Sequence, residues 1–306
     1  MAVEIPVIVN AKSGPDGEAH SSETIEAAFR KHGMHARVIM VAPGQDIGEA
    51  VQGLLADRPL LVVAGGGDGT INAVASHLLD GGVTLGVLPL GTLNHFARDL
   101  QIPFKLEDAV RNIADGHQVK VDVGEVNGHI FLNNSSIGLY PAIVAERERT
   151  QKHFGLGKWP ALVKATFHAL RDPQCFKAVV SIQGKQVDHR TPFIFVGNNV
   201  YVVEGFSMGK RKGLEDGILS LYILHHKKAL DLVWLGVRSL LGVGSHAGDF
   251  DAFRGTDFRI ESQSAKIDVA TDGEVLRMQS PICYRIRPRA LHVLAPRTGT
   301  VVAKAD

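Results

Sequence analysis

Apolar and polar positions in the first third of the chain alternate in blocks, not residue by residue. Residues 5–9 form a short apolar run of the kind carried by a strand buried on both faces, and a helical pattern follows over 22–32, stopped by Gly33. The exchange repeats, with strands predicted over 36–41, 59–64 and 83–89 and helices over 46–56, 71–79 and 106–115. Such alternation predicts a parallel sheet with helices on its faces. After Lys120 the blocks shorten to hairpin spacing. Segments 121–126 and 129–133 flank Asn127-Gly128, a pair that favours a tight hairpin turn. Further short strands are predicted over 178–182, 191–196, 218–224, 257–260, 266–270 and 282–287, with helices over about 159–171 and 229–241. A last strand, 290–294, is a candidate to return to the first domain. The expectation is a two-domain protein: an α/β parallel-sheet domain over 1–120, completed by 289–306, and a mainly antiparallel β-sandwich domain with helices over 121–288.

The chain has 306 residues, enough for two cores. Lys and Arg number 33 against 32 Asp and Glu, so no whole-molecule field attracts nucleic acid, and no nucleic-acid partner is expected. Cys175 and Cys283 lack zinc or redox spacing and read as inert thiols of a reducing compartment. The first residues carry Glu4 where a secretion signal carries bases. Segment 229–244 contains Asp231 and Arg238 and is shorter than the roughly 20 apolar residues a membrane span needs. A cytoplasmic protein is expected, able to lie against the inner membrane face.

The apolar run 60–64 breaks into Gly65-Gly66-Gly67-Asp68-Gly69-Thr70 before the next helix. Glycines let backbone N–H groups approach an anion without a Cβ in the way, and the helix N-terminus adds partial positive charge. The competing reading is a tight turn without a ligand, which would leave the backbone entropy of three glycines uncompensated. No stretch fits the Walker A or dinucleotide patterns. Asp68 next to phosphates makes sense with a magnesium ion between them, directly or through water. Ligand-type turns thus follow three strands, at Asn10, Gly65 and Gly91, on the carboxyl edge of the sheet.

Five motifs then appear in register: Asn10-Ala11-Lys12-Ser13-Gly14, Gly66-Gly67-Asp68-Gly69-Thr70 with Asn72, Leu88-Pro89-Leu90-Gly91-Thr92-Leu93-Asn94, Leu214-Glu215-Asp216-Gly217-Ile218-Leu219 and Asp272-Gly273-Glu274. Together they resemble the diacylglycerol kinase catalytic-domain superfamily, which includes bacterial soluble diacylglycerol and lipid kinases and sphingosine kinases. The resemblance covers about residues 5–296. It implies an ATP-dependent lipid kinase with an NAD kinase/diacylglycerol kinase-like nucleotide domain and a β-rich lipid domain, moving the γ-phosphoryl group to a hydroxyl of diacylglycerol or a similar membrane lipid with Mg2+. By position, Asn10, Ser13, Gly14, Gly66, Gly67, Asp68, Gly69, Thr70, Asn72 and Thr92 would hold ATP, with Asn94 beside them. Glu274 would be the general base, with Asp68 and Asp272 as further catalytic acids. A solvated Asp-Gly turn is the competing reading of Asp272. Magnesium would rest on Asp216 and on main-chain oxygens of Gly213 and Ile218. Asp122 would join an acid network with Asp68, or simply end a strand.

Three departures from the family pattern stand out: Ala11 for a proline, Ala73 for an acid, and His95 for an aspartate after Asn94. The nucleotide turn, shared with NAD kinases, keeps open a kinase of a soluble acceptor, and His95 and Ala73 keep open a nucleotide- and lipid-binding regulator without catalysis. Lys210-Arg211-Lys212 and His225-His226-Lys227-Lys228 are short basic clusters that suit either an anionic bilayer or a solvated surface. A homo-oligomer is compatible with the sequence.

Overall fold

A computed structural model of the chain describes residues 4–11, 13, 20–42, 44–138, 141, 175–182, 184–201, 211, 213–225 and 250–297. The chain divides into two compact units, Met1–Val121 with Arg289–Asp306, and Asp122–Pro288.

The first unit alternates β1 (Glu4–Asn10), α1 (Ser22–Lys31), β2 (His35–Val41), α2 (Ile47–Leu55), β3 (Leu61–Gly66), α3 (Asp68–Ala75) and β4 (Thr84–Pro89), then α4 (His95–Asp99) and α5 (Leu106–Asp115). β1 pairs in parallel with β2 and β3, and β3 pairs in parallel with β4. Val7, Ile8, Val62, Val63, Ala64 and Val87 are fully buried, as expected of strands covered on both faces. α1 packs beside α5, and α2 beside α3. The apolar stripe of α1 places Ile25, Ala28 and Phe29 inward, and Ser21 caps its start by accepting from the Thr24 N–H.

The second unit is antiparallel. Its strands are β5 (His117–Val126), which carries the unit boundary, β6 (His129–Phe131), β7 (Asn134–Gly138), β8 (Phe176–Ile182), β9 (Lys185–Thr191), β10 (Phe193–Asn198), β11 (Leu219–Leu224), β12 (Phe250–Gly255), β13 (Asp257–Ser262), β14 (Lys266–Thr271), β15 (Glu274–Gln279) and β16 (Ile282–Ala295). One sheet runs in the order β12-β11-β10-β7-β14-β15. Within the unit, β13 pairs with β16 and β8, and β8 with β9. One buried cluster takes Ile137, Val196, Leu221 and Val269 from the first sheet and Val180, Phe258, Ile260 and Tyr284 from the second. Shared burial of two inner faces is what defines a sandwich.

Several boundaries differ from the sequence expectation. α3 begins at Asp68, not at residue 71, because Gly67 takes the extended N-cap conformation and the next glycine accepts helical geometry. It ends at Ala75, where the Ser76 hydroxyl and the His77 ring both reach the Ala73 carbonyl. The strand predicted over 191–196 is two strands, β9 and β10, divided at Pro192. β9, β12 and β15 are edge strands, too polar to show an apolar run. β16 is one 14-residue strand, not two. Its tail pairs in parallel with β4, His292 opposite Thr84. The helices predicted over 159–171 and 229–241 lie outside the described residues.

Candidate active site

In the first unit, three turns at the carboxyl ends of β1, β3 and β4 are cross-linked. Asn10 Nδ2 donates to Thr70 Oγ1 at 3.3 Å. The Ser13 N–H closes the turn after β1 on the Asn10 carbonyl at 2.9 Å. The Leu90 N–H donates to the Gly66 carbonyl at 3.1 Å, joining the second turn to the third. Asn94 adopts left-handed backbone geometry (φ 49°) and folds its buried amide back over the 89–94 turn. Its Oδ1 accepts from the Gly91 N–H at 3.0 Å, and its Nδ2 donates to the Gly91 carbonyl at 2.7 Å. Asn94 is therefore a turn-former, and the exposed Thr92 is the side chain this turn presents. Gly14 lies outside the described residues.

α3 starts without a side-chain cap, since its N-cap residue is Gly67. The N–H groups of Asp68, Gly69 and Thr70 therefore have no carbonyl of an earlier turn to bond, which makes this helix end a ready anion site. Asn72 is part-buried one turn further on. The Asp68 carboxylate has a separate task. Oδ2 accepts from the His95 N–H and Oδ1 from the Phe96 N–H, each at 3.1 Å. It caps α4, whose own N-cap residue, Asn94, makes no side-chain cap bond. This tie accounts for a carboxylate beside an anion cradle on structural grounds.

In the second unit, Asp272 and Gly273 form the two-residue turn between β14 and β15, both at positive φ. The turn is not a solvated Asp-Gly loop. The Asp272 carboxylate accepts the backbone N–H groups of Leu132, Asn133 and Asn134 at 2.7, 2.9 and 3.1 Å. Its own N–H donates to the Asn134 carbonyl at 2.9 Å. Asp272 thus pins the hairpin that carries Glu274 to the turn between β6 and β7. Glu274 opens β15 on an exposed position, yet its carboxyl is pushed above the usual glutamate value, first by partial desolvation and second by the Asp272 charge.

Gly213, Asp216 and Ile218 come together in the turn before β11. A Cβ on Gly213 would lie 3.1 Å from Asp216 Oδ1, so the carboxylate folds back over this glycine. The Asp216 N–H donates to Asn199 Oδ1 at 3.0 Å, and the Ile218 carbonyl accepts from the Asn199 N–H at 3.0 Å. Among the described residues no group of three or more His, Cys, Asp or Glu side chains is gathered for a metal. The turn offers one carboxylate and main-chain oxygens, a donor set that fits a hard cation keeping much of its water. Asp122, 1% exposed, is neither a free strand end nor a loose acid: its Oδ2 accepts from the Gly217 N–H at 2.7 Å.

Sequence reasoning missed the asparagines that hold these turns. Asn133-Asn134 and Asn198-Asn199 each follow an apolar strand end, and the doubled amide is the signal that was there to find. Arg211 of the first basic cluster is tied into the fold. Its guanidinium donates to the Leu132 carbonyl at 2.6 Å and to Asn133 Oδ1 at 3.1 Å and lies over the Tyr201 ring. In the other basic cluster, His225 Nε2 lies 2.9 Å from Asp251 Oδ2.

Residues 4–126 match the model of the diacylglycerol kinase catalytic domain, and residues 143–295 match that of the YegS C-terminal NAD kinase beta sandwich-like domain. A "Probable lipid kinase YegS-like" of Yersinia pestis (strain Pestoides F) is 33% identical over 187 residues, 56% of this chain and 59% of that protein. A protein of the same name from Yersinia pseudotuberculosis serotype O:1b (strain IP 31758) gives the same figures. The match therefore spans 59% of the length of these relatives. The crystal structure of a diacylglycerol kinase from Bacillus anthracis str. Sterne superposes with a TM-score of 0.68 at 20% identity, covering 95% of this chain and 96% of that one. A second solved chain from that strain reaches 0.72 at 23% identity over the same shares. At these identities the structural likeness establishes the fold.

Proposed function

This chain belongs to the family that joins a diacylglycerol kinase catalytic domain to a YegS C-terminal domain, and from that premise we propose that it is an ATP-dependent lipid kinase. It transfers the γ-phosphoryl group of ATP to a hydroxyl of diacylglycerol or a similar membrane lipid. The observation that carries this reading is the uncapped start of α3, clasped between the turns after β1 and β4. A nucleotide phosphate there accepts the N–H groups of residues 68–70 and gains from the helix dipole. Asn10, Ser13, Gly14 and Thr92 line the nucleotide, and Gly66, Gly67, Gly69, Thr70, Asn72 and Asn94 shape or hold the turns around it.

Glu274 takes the proton of the acceptor hydroxyl while that oxygen bonds to the γ-phosphorus and the bond to the ADP oxygen breaks. Its raised pKa brings it closer to the working pH, which makes it a stronger base than an ordinary glutamate. Asp272 keeps the hairpin under Glu274 fixed. Asp68 holds α4, and with it the Thr92 turn, against the start of α3. Asp216 with the carbonyls of Gly213 and Ile218 would hold Mg2+, which supplies positive charge and order to the site when bound.

The acceptor resides in a bilayer, so the protein works at a membrane surface from the cytoplasmic side. Among the described residues no helix is long and apolar enough to cross it. ATP turnover stimulated by diacylglycerol in mixed micelles supports the proposal; absence of lipid-dependent turnover with every divalent metal tried contradicts it.

A further inference from the structure

Asn198 and Asn199 are fully buried at the end of β10, far along the chain from every proposed catalytic group, and their side chains are committed to other loops. Asn198 Nδ2 donates to the carbonyls of Asp122 and Leu132, both at 2.9 Å, and its N–H donates to the Asn133 carbonyl at 2.9 Å. Its Oδ1 accepts from Asn199 Nδ2 at 3.3 Å. Asn199, in left-handed geometry at φ 68°, accepts the Asp216 N–H on Oδ1. The bonds form an unbroken line: Asp216 N–H to Asn199, Asn199 to Asn198, Asn198 to the Leu132 carbonyl, and the Leu132 N–H to Asp272. Arg211 adds a second tie, donating to the Leu132 carbonyl and Asn133 Oδ1 on the turn and to the Asn198 carbonyl, at 3.4 Å, at the end of β10.

We propose that Asn198 and Asn199 are positioning residues that hold the Asp216 turn and the Asp272-Glu274 hairpin as one rigid frame. Neither amide touches the reacting atoms. Two features support this role over ordinary core packing. A buried amide is conserved in energy only when its donors and acceptors are all matched, and here the matching partners are the backbones of the two functional turns. The 132–134 turn, moreover, is the element to which Asp272 is bonded three times. Loosening that turn admits water to the hairpin and lets Asp272 move from Glu274. Both causes of the raised Glu274 pKa, partial desolvation and the Asp272 charge, then weaken. The frame assigns to these amides the orientation of the base proposed above, and so rests on that reading.

The test uses the full-length chain and two variants. Asn199→Gly suits the left-handed backbone and cuts only the side-chain links to Asp216 and Asn198; Asn198→Ala cuts the central junction. The first readout is the titration of Glu274 by carbon NMR of glutamate-labelled protein, assigned with Glu274→Gln. The second is kcat with lipid against KM for ATP. In both variants the Glu274 midpoint falls toward the ordinary glutamate value, and kcat drops about 10–100-fold while KM for ATP changes less than about twofold. If Asn198→Ala fails to fold, Asn199→Gly decides alone. A folded variant with a lower melting temperature but an unmoved midpoint and an unchanged kcat overturns the proposal. If wild type transfers no phosphoryl group to any lipid but the midpoint still moves, the frame stands and the lipid kinase reading fails.

Discussion

A Cβ on Gly91 would lie 2.3 Å from the Cα of Gly67 and 2.9 Å from its nitrogen, so the turns after β4 and β3 meet backbone to backbone. No side chain can give way at such a contact. Gly91→Ala forces the two turns apart, costing about 1–3 kcal/mol and spoiling the anion site. Gly67→Ala places its Cβ 3.5 Å from the Gly91 Cα, an ordinary contact, and leaves the fold near wild-type stability. Urea denaturation and ATP-binding isotherms of the two variants check this contrast.

Asp68 caps α4 with both carboxylate oxygens. Asp68→Ala lowers stability by about 1 kcal/mol, within the range measured for lost helix caps. Asp68→Asn keeps one acceptor oxygen and loses less. The urea midpoint falls without a change in slope. An unchanged midpoint in Asp68→Ala would mean that the carboxylate does not hold α4.

Glu274 must be ionised to accept a proton, and its pKa lies above that of an ordinary glutamate. The acid limb of kcat/KM therefore falls at a higher pH than an unperturbed glutamate would give. Asp272→Asn removes a neighbouring negative charge while keeping an acceptor oxygen, and the limb moves down in pH. A limb that moves up, or one that persists in Glu274→Gln, assigns the titration to another group.

The proposed Mg2+ site at the Asp216 turn predicts that Mg2+ raises the melting temperature by mass action. Asp216→Ala abolishes most of that Mg2+-dependent shift and leaves the ATP-dependent shift in place. Differential scanning calorimetry with each ligand alone separates the two.

The parallel unit was legible because its strands are buried on both faces and its helices are periodic: β1, β3 and β4 emerge from apolar runs, and α5 matches its predicted bounds, Leu106–Asp115. The turns expected at Asn10, Gly65 and Gly91 were legible for the same reason, since strand order puts the ends of β1, β3 and β4 side by side. The roles inside the turns were less so. The tie made by Asp68 was not visible, because nothing local shows that the backbone N–H groups of residues 95 and 96, more than 25 positions away, donate to its carboxylate. β7 was missed because Asn134, Ser135 and Ser136 look like a loop; in the fold, Ser135 Oγ donates to the Ala270 carbonyl at 2.8 Å and lies 3.0 Å from the Tyr284 hydroxyl. Buried polar strands of this kind are paid for by partners distant in sequence, and a single sequence does not display them.

Glu274 is proposed to deprotonate a lipid hydroxyl for attack on ATP. This role is tested most directly by incubating the purified protein with γ-labelled ATP, Mg2+ and a total lipid extract, then identifying the labelled product for wild type and for Glu274→Gln. Wild type is expected to place label in a phosphorylated diacylglycerol or similar lipid, reduced at least about 100-fold by Glu274→Gln. Label that enters NAD or another soluble acceptor, or a Glu274→Gln variant as fast as wild type, would contradict that role.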